Sequence, residues 1–249
     1  MAAIAAVVVA LSACGNGADP TARPTTSGTD ATALTTEPPA STRAPGGAGP
    51  TRDRERGPVA SDGRSAPARL TIPTLDLRDF AVVPYRGHTD DARGTDIQNG
   101  GALASPHGPE GGTGPGGIGS YQVTGHRLSS TMPFRFLPQL TRGDEVYVES
   151  GGTRYVYRIA TTRETSFRSP RSLREQRAAV PGRPGIEPTR AMLTLSTCAT
   201  IEDHAAGNFW ADQFDNPEHR IDKIGVLVRS VPPGRTIGGD AVAARISAQ

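Results

Sequence analysis

The feature that most constrains the fold is a pair of alternating runs on either side of two glycines. Asp144 to Ser150 reads DEVYVES, and Thr153 to Thr161 reads TRYVYRIAT. Apolar and polar residues alternate in both, the period of a strand with one wet face and one dry face. Gly151 and Gly152 between them supply the positive φ angles that a tight hairpin turn needs. The sequence therefore predicts an antiparallel pair here, and its two open edges need further strands.

Those strands are readable elsewhere. Leu70 to Pro73 and the run LDLRDFAVVPY predict a strand, a proline-marked bend and a second extended run. Residues 92–120 are glycine-rich and predicted as loop. Ser120 to Thr124 forms a short strand leading to Gly125 and His126. MPFRFLPQL predicts one helical turn with Phe134, Phe136, Leu137 and Leu140 facing inward. Residues 163–190 are polar and irregular, with a short helix from Pro170 to Ala179. Arg190 to Thr197 predicts a buried strand ending at Cys198, and Ile221 to Val231 contains the last strand. Many short strands without alternating long helices predict an all-β domain, a closed β-barrel with short helices and long loops.

Composition sets the boundaries around that domain. Between Gly15 and Ala66 the only apolar side chains larger than alanine, proline aside, are Leu34 and Val59. A segment that poor in apolar surface cannot offset its chain entropy. Residues 15–66 are therefore expected to be a disordered Pro/Thr/Gly-rich tether, 67–235 the folded domain, and 236–249 a small polar tail. Residues 1–14 are small and apolar but too short to span a bilayer, which takes roughly 20 residues. They read as the apolar part of a signal peptide or membrane anchor without its basic n-region. Leu11-Ser12-Ala13-Cys14 resembles a lipobox, which would make Cys14 a lipidation site. On any of these readings the chain is exported, and lipid or the N-terminal apolar segment is expected to hold it at the outer face of a membrane.

Net charge is +2, and Lys223 is the only lysine among the cations. No basic run with interleaved aromatics is present, which argues against nucleic acid as a partner. The glycine-rich loop lacks the Lys-Ser or Lys-Thr that phosphate binding requires. No Gly-x-Ser-x-Gly elbow supports a serine hydrolase. Asp203, His204, Asp212, Asp215 and His219 cluster in one segment, but their spacing matches no metal-binding pattern, so no metal or other cofactor is expected. His88 and His107 are read as solvated loop residues.

Cys198 is the only cysteine of the folded region, so it has no partner there for a disulfide. A thiol at the exit of an apolar strand is either an inert small hydrophobe or a nucleophile. A nucleophile needs a proton handler and an oxyanion donor. His126 and Arg220 each lie at a strand boundary, from which both can converge on Cys198 at one barrel end.

These residues carry a family resemblance. Thr194-Leu195-Ser196-Thr197-Cys198 resembles the Thr-Leu-x-Thr-Cys signature of sortases, and Val123-Thr124-Gly125-His126-Arg127 resembles the segment holding their histidine. Arg220, just before an apolar run, resembles the arginine heading their last strand. The similarity runs from Leu70 to Val231 and is strongest to the class E type of actinobacteria. The resemblance implies a cysteine transpeptidase in which Cys198 attacks a Thr–Gly bond of a C-terminal sorting signal. His126 protonates the leaving amine, and Arg220 stabilises the oxyanion or positions the peptide. It implies as partners secreted proteins bearing Leu-Ala-x-Thr-Gly or Leu-Pro-x-Thr-Gly, and an amine from peptidoglycan precursor or a pilin lysine. Residues 199–219 are longer, more acidic and more aromatic than the family leads one to expect. There Phe209 and Trp210 either contact the sorting peptide or pin the loop to the barrel, and Thr197 is a third candidate contact. Two other readings stay open: a non-catalytic exported lipoprotein that binds a wall component, and a cysteine hydrolase of the same fold. An L,D-transpeptidase fits less well, because Cys198 lacks the preceding glycine and nearby histidine of that family.

Overall fold

The computed structural model describes residues 58–232. Eight strands close into a barrel in the order β1-β2-β3-β4-β7-β8-β6-β5, with β5 returning to β1. The strands are β1 (Ala68–Ile72), β2 (Leu77–Arg86), β3 (Leu103–His107), β4 (Gly119–Thr124), β5 (Glu145–Ser150), β6 (Thr153–Ser166), β7 (Ala191–Cys198) and β8 (His219–Val231). Three short helices lie between them: α1 (Ala92–Asn99), α2 (Pro170–Arg177) and α3 (Thr200–Ala205). The β2/β3 and β4/β7 pairs are parallel, and every other pair is antiparallel.

The hairpin read from the sequence is β5–β6, with Gly151 and Gly152 both at positive φ. Its inward residues Val146, Val148, Tyr157 and Ile159 are buried with Leu70, Ile72, Val123, Leu193 and Leu195 in one core. β6 runs five residues past the predicted alternation, to Ser166, and pairs with β8 as far as Ser166↔His219. That extension carries the sheet to the end of the barrel where Cys198 lies.

Three expectations need correction. Residues 92–120 are not all loop, because they contain α1, β3 and the start of β4. Helix α1 (ARGTDIQN) has almost no apolar stripe; it starts because the Asp91 carboxylate accepts from the Gly94 N–H at 2.8 Å. β3 hides between glycines and contains Pro106, yet Leu103, Ala104 and Ser105 are buried along the parallel ladder with β2. Phe136 does not face inward: it is 49% exposed, under the Arg135 guanidinium, whereas Phe134, Leu137 and Leu140 are buried. The 3-10 turn Leu137–Gln139 has a proline as its second residue and leaves only Leu137 buried.

The third correction concerns the tether. Its expected end, residues 58–66, bonds to the barrel: Ser61 bridges Gly117, Gly114 N donates to Gly63 O at 2.8 Å, and Val59 N donates to Ser230 Oγ at 3.0 Å. Part of the glycine-rich loop exists for this contact. A Cβ on Gly114 would lie 1.8 Å from the Arg64 carbonyl oxygen, so no other residue fits. The expected anchor at 1–14, with Cys14, the tether up to residue 57 and the tail 236–249 lie outside the described residues. Among the described residues, no helix is long and apolar enough to cross a membrane.

The one lysine is structural in its contacts. Lys223 Nζ reaches Pro138 O, Leu140 O and Thr162 Oγ1 at 2.7–3.0 Å, fastening the Leu137–Gln139 turn to β6 and β8. Burial pushes its pKa down, and Asp144 partly offsets that.

Candidate active site

β7 lies between β4 and β8, so three strand ends meet at one rim of the barrel. Cys198 is the last residue of β7, and its register partner on β8 is Arg220. The segment Gly125-His126-Arg127, which follows β4, is laced to the same strand end. Gly125 N donates to Ser196 O at 3.2 Å, and Thr197 Oγ1 donates back to Gly125 O at 2.8 Å. Arg127 is buried, donates to Cys198 O at 3.2 Å and forks onto the Glu202 carboxylate of α3. His126 is thus held by ties on both sides to residues at or next to Cys198. A Cβ on Gly125 would meet Leu103 Cδ2 at 2.4 Å and Phe134 Cδ2 at 2.9 Å, so glycine is required for this approach. The His126 ring bonds through Nε2 to Asn99 Oδ1 at 2.8 Å, the last residue of α1.

Among the described residues Arg220 is the largest fully buried side chain, with 1% of its surface exposed. Its Nε donates to Asp90 Oδ2 at 3.1 Å, and one terminal nitrogen donates to Pro217 O at 2.6 Å and His219 O at 3.3 Å. The guanidinium lies over the Phe167 ring, 3.9 Å from its centroid. The other terminal nitrogen is buried and has no hydrogen-bond partner. The Cys198 thiol donates to Asn216 Oδ1 at 3.7 Å, and Asn216 is held by Asp212 through its backbone N–H and its side-chain amide.

An open cleft of about 570 Å³ borders this end, lined among others by Asp90, Phe167, Arg177, Trp210, Asp212 and Phe214. Trp210 therefore faces the cleft. Phe209 does not line it: it is 72% exposed and packs on the His204 ring at 4.8 Å. Thr197 is buried with its hydroxyl engaged on Gly125, which suits a brace between the two loops rather than a ligand contact. Asp203 accepts from His219 through both its backbone N–H (3.0 Å) and its ring (2.6 Å), which ties α3 to β8. His88 is bonded at Nδ1 by Arg177 at 3.0 Å, and His107 ends β3. Asp90, Asn99, Arg127 and Asn216 were not singled out by sequence. Only Arg127, adjacent to the histidine, carried a local signal; the others arrive through tertiary folding.

A sortase-domain family model matches residues 70–210, more than half of the chain. The chain belongs to the sortase family. Sortases are cysteine transpeptidases that act at the cell surface on proteins carrying sorting signals, with cell-wall amines as acceptors. The fold is similar to that of the SrtA sortase of Actinomyces oris, at 18% identity and a TM-score of 0.51, covering 72% of this chain and 89% of that one. It is similar to sortase E1 of Streptomyces coelicolor, solved with a tripeptide in the active site, at 22% identity and 0.50, covering 70% and 94%. The SrtF sortase of Corynebacterium diphtheriae gives 20% identity and 0.50, covering 72% and 92%. No match is found among curated proteins.

In this sortase the thiol is poorly ionised at rest. Burial pushes Cys198 up to about 11; Arg220 and Arg127 pull the other way, while Asp90 and Asp212 add to the rise. Burial also lowers His126, with Asp90 opposing and Arg220 assisting. At neutral pH the resting pair is therefore a neutral thiol and a neutral imidazole. The rate of Cys198 alkylation by iodoacetamide is expected to climb with pH toward a midpoint near 11, well above the roughly 8.5 of a free thiol. Rates measured from pH 6 to 11 should still be rising at the upper end, and a plateau with a midpoint at or below that of a free thiol contradicts it.

Proposed function

We propose that Cys198 is the nucleophile, His126 the proton carrier and Arg220 the oxyanion donor of a transpeptidation at a Thr–Gly bond. The observation that carries this reading is the Cys198↔Arg220 register at a barrel rim to which the His126 segment is tied. The thiol proton passes to the His126 imidazole as sulfur attacks the threonine carbonyl. The carbonyl becomes an oxyanion, for which the unpartnered N–H edge of Arg220 is the available donor. Collapse breaks the C–N bond, and His126 returns the proton to the leaving glycine amine. The product is a thioester between threonine and Cys198. An acceptor amine then attacks the thioester, its extra proton leaves through His126, and the thiol is regenerated as the new amide forms. Thiol, imidazole and guanidinium suffice for each step.

The class E reading rests on the sequence resemblance, and it places Leu-Ala-x-Thr-Gly ahead of Leu-Pro-x-Thr-Gly. Trp210, on the cleft wall, is the aromatic we assign to peptide contact. The acceptor is an amine of peptidoglycan precursor or a pilin lysine. Residues 1–14 would hold the enzyme at the outer membrane face by an apolar segment or by lipid on Cys14. The segment up to residue 57 would set its reach.

The test incubates the full chain with both peptides and a diglycine acceptor, followed by mass spectrometry. Thr–Gly cleavage with an amine-ligated product, faster on the alanine peptide, is expected. Cleavage without ligation favours the hydrolase reading, and no cleavage of either peptide removes the Thr–Gly assignment.

A further inference from the structure

Arg220 is held in place by more than its own strand. A guanidinium on a freely rotating stem would lose most of its value as an oxyanion donor, because donor position within about an ångström decides the rate. Here four contacts hold it. The carbonyls of Pro217 and His219 hold one terminal nitrogen, the Phe167 ring covers a face, and Asp90 holds Nε. Only the second terminal nitrogen remains without a partner. Among these contacts, Asp90 alone is a charged side chain. It also comes from a separate part of the barrel, the connection between β2 and α1.

That connection is itself anchored. Thr89, next to Asp90, is buried and donates to Gln176 Oε1 at 2.9 Å. Gln176 Nε2 donates to the buried Asp222 carboxylate at 3.0 Å, and Thr165 Oγ1 donates to the same carboxylate at 2.6 Å. On the other side, Asp91 caps α1 through Gly94 N and accepts from His88 N. Asp90 lies between these anchors at φ 58, a left-handed conformation that most side chains avoid, and its own side chain is 9% exposed. A chain held at an unfavourable φ between two anchored neighbours delivers one carboxylate to one guanidinium.

We propose that Asp90 is a positioning residue for the sortase reaction: it orients Arg220 so that the free guanidinium edge faces the carbonyl attacked by Cys198. This rests on the reading of Cys198 and Arg220 given above. Asp90 also sits in the cleft wall, so a peptide entering there meets it already engaged with Arg220.

The left-handed φ selects the variants. Asparagine tolerates it and keeps the shape of the side chain without the charge; glycine tolerates it and removes the carboxylate altogether. With the full chain and the faster Thr–Gly peptide, kcat is expected to fall about tenfold in Asp90→Asn and about 100-fold in Asp90→Gly. KM should stay within about twofold, because the contact orients a donor and does not bind ground-state substrate. Asp90→Glu, which returns the charge, should recover part of the loss. The same samples are alkylated across pH. The charged groups acting on the thiol are Arg220 from β8, Asp90, Asp212 from the β7–β8 connection and Arg127 after β4, and His126 feels the same Asp90 and Arg220. Removing Asp90 leaves Arg220 uncompensated, so the midpoint for Cys198 should move to lower pH while turnover falls. A purely structural residue would not move these two quantities in opposite directions. Wild-type kcat in Asp90→Gly overturns the proposal, as does a loss confined to KM. If the wild-type enzyme cleaves neither peptide but the alkylation midpoint still shifts in Asp90→Asn, the Thr–Gly assignment falls and the Asp90–Arg220–Cys198 arrangement stands.

Discussion

Replacing Cys198 by alanine is expected to reduce Thr–Gly cleavage to background while leaving the fold intact. Both halves of that expectation come from the site. The side chain makes one weak bond, to Asn216 at 3.7 Å, whereas the ties that lock the strand end use backbone atoms. Thr197 and Arg127 therefore keep their contacts in the variant. A stability change below about 1 kcal/mol corresponds to a shift in melting midpoint of less than about 4 °C for a domain of this size. Peptide cleavage and thermal unfolding of the same preparation check the pair. Residual cleavage above about one per cent, in a folded variant, would remove Cys198 from the chemistry.

Arg220→Ala carries the second large effect, and it acts on rate and stability together. Loss of one oxyanion donor lowers kcat by about 10²–10³. Removal of the cation also strands the Asp90 carboxylate, 9% exposed, without its partner, and breaking a buried pair costs about 3–5 kcal/mol. Arg220→Lys should restore some stability and little activity, since an ammonium cannot reproduce a planar fork that bonds Asp90 and two carbonyls at once. Arg229 is the built-in control. It pairs with Val156 far along β8, and its ion pair with Glu145 spans 3.9 Å at the surface. Its removal should change stability by less than about 1 kcal/mol and leave kcat unchanged. Denaturant unfolding and steady-state kinetics on the three variants separate the two terms.

The parts of the fold legible in the sequence were those where one short stretch determines its own structure. β5 and β6 alternate cleanly around two glycines, β7 sets Met192, Leu193 and Leu195 among small β-compatible residues with no Gly or Pro, and α2 opens with Ser169 capping and Pro170 in the first turn. The barrel follows because such strands have no helix to cover their edges. α1 and β3 were missed because neither has a periodic signal. One is fixed by the Asp91 cap, and the other by pairing with β2 and burial of Leu103. Phe136 was misplaced because proline and local backbone geometry, rather than an amphipathic period, set the turn it precedes.

The site divides along the same line. His126, Cys198 and Arg220 stand at strand boundaries, and their motifs are contiguous. Asp90 and Asn216 meet Arg220 and Cys198 only after the barrel closes, across 130 and 18 positions of chain. Nothing near either residue in the sequence announces the contact. Phe209 and Trp210 are adjacent and chemically alike, yet one faces solvent and the other the cleft. Pattern alone does not choose between them.

The most direct test of the account is the intact mass of the enzyme during turnover. The full chain is mixed with a Leu-Ala-x-Thr-Gly peptide, quenched in acid within seconds and measured beside Cys198→Ala. The account predicts a mass increase equal to the peptide acid ending at threonine less one water, mapped to Cys198, lost on adding hydroxylamine or diglycine, and absent from the variant. Thr–Gly cleavage that proceeds with no such adduct, or that persists in Cys198→Ala, would contradict it.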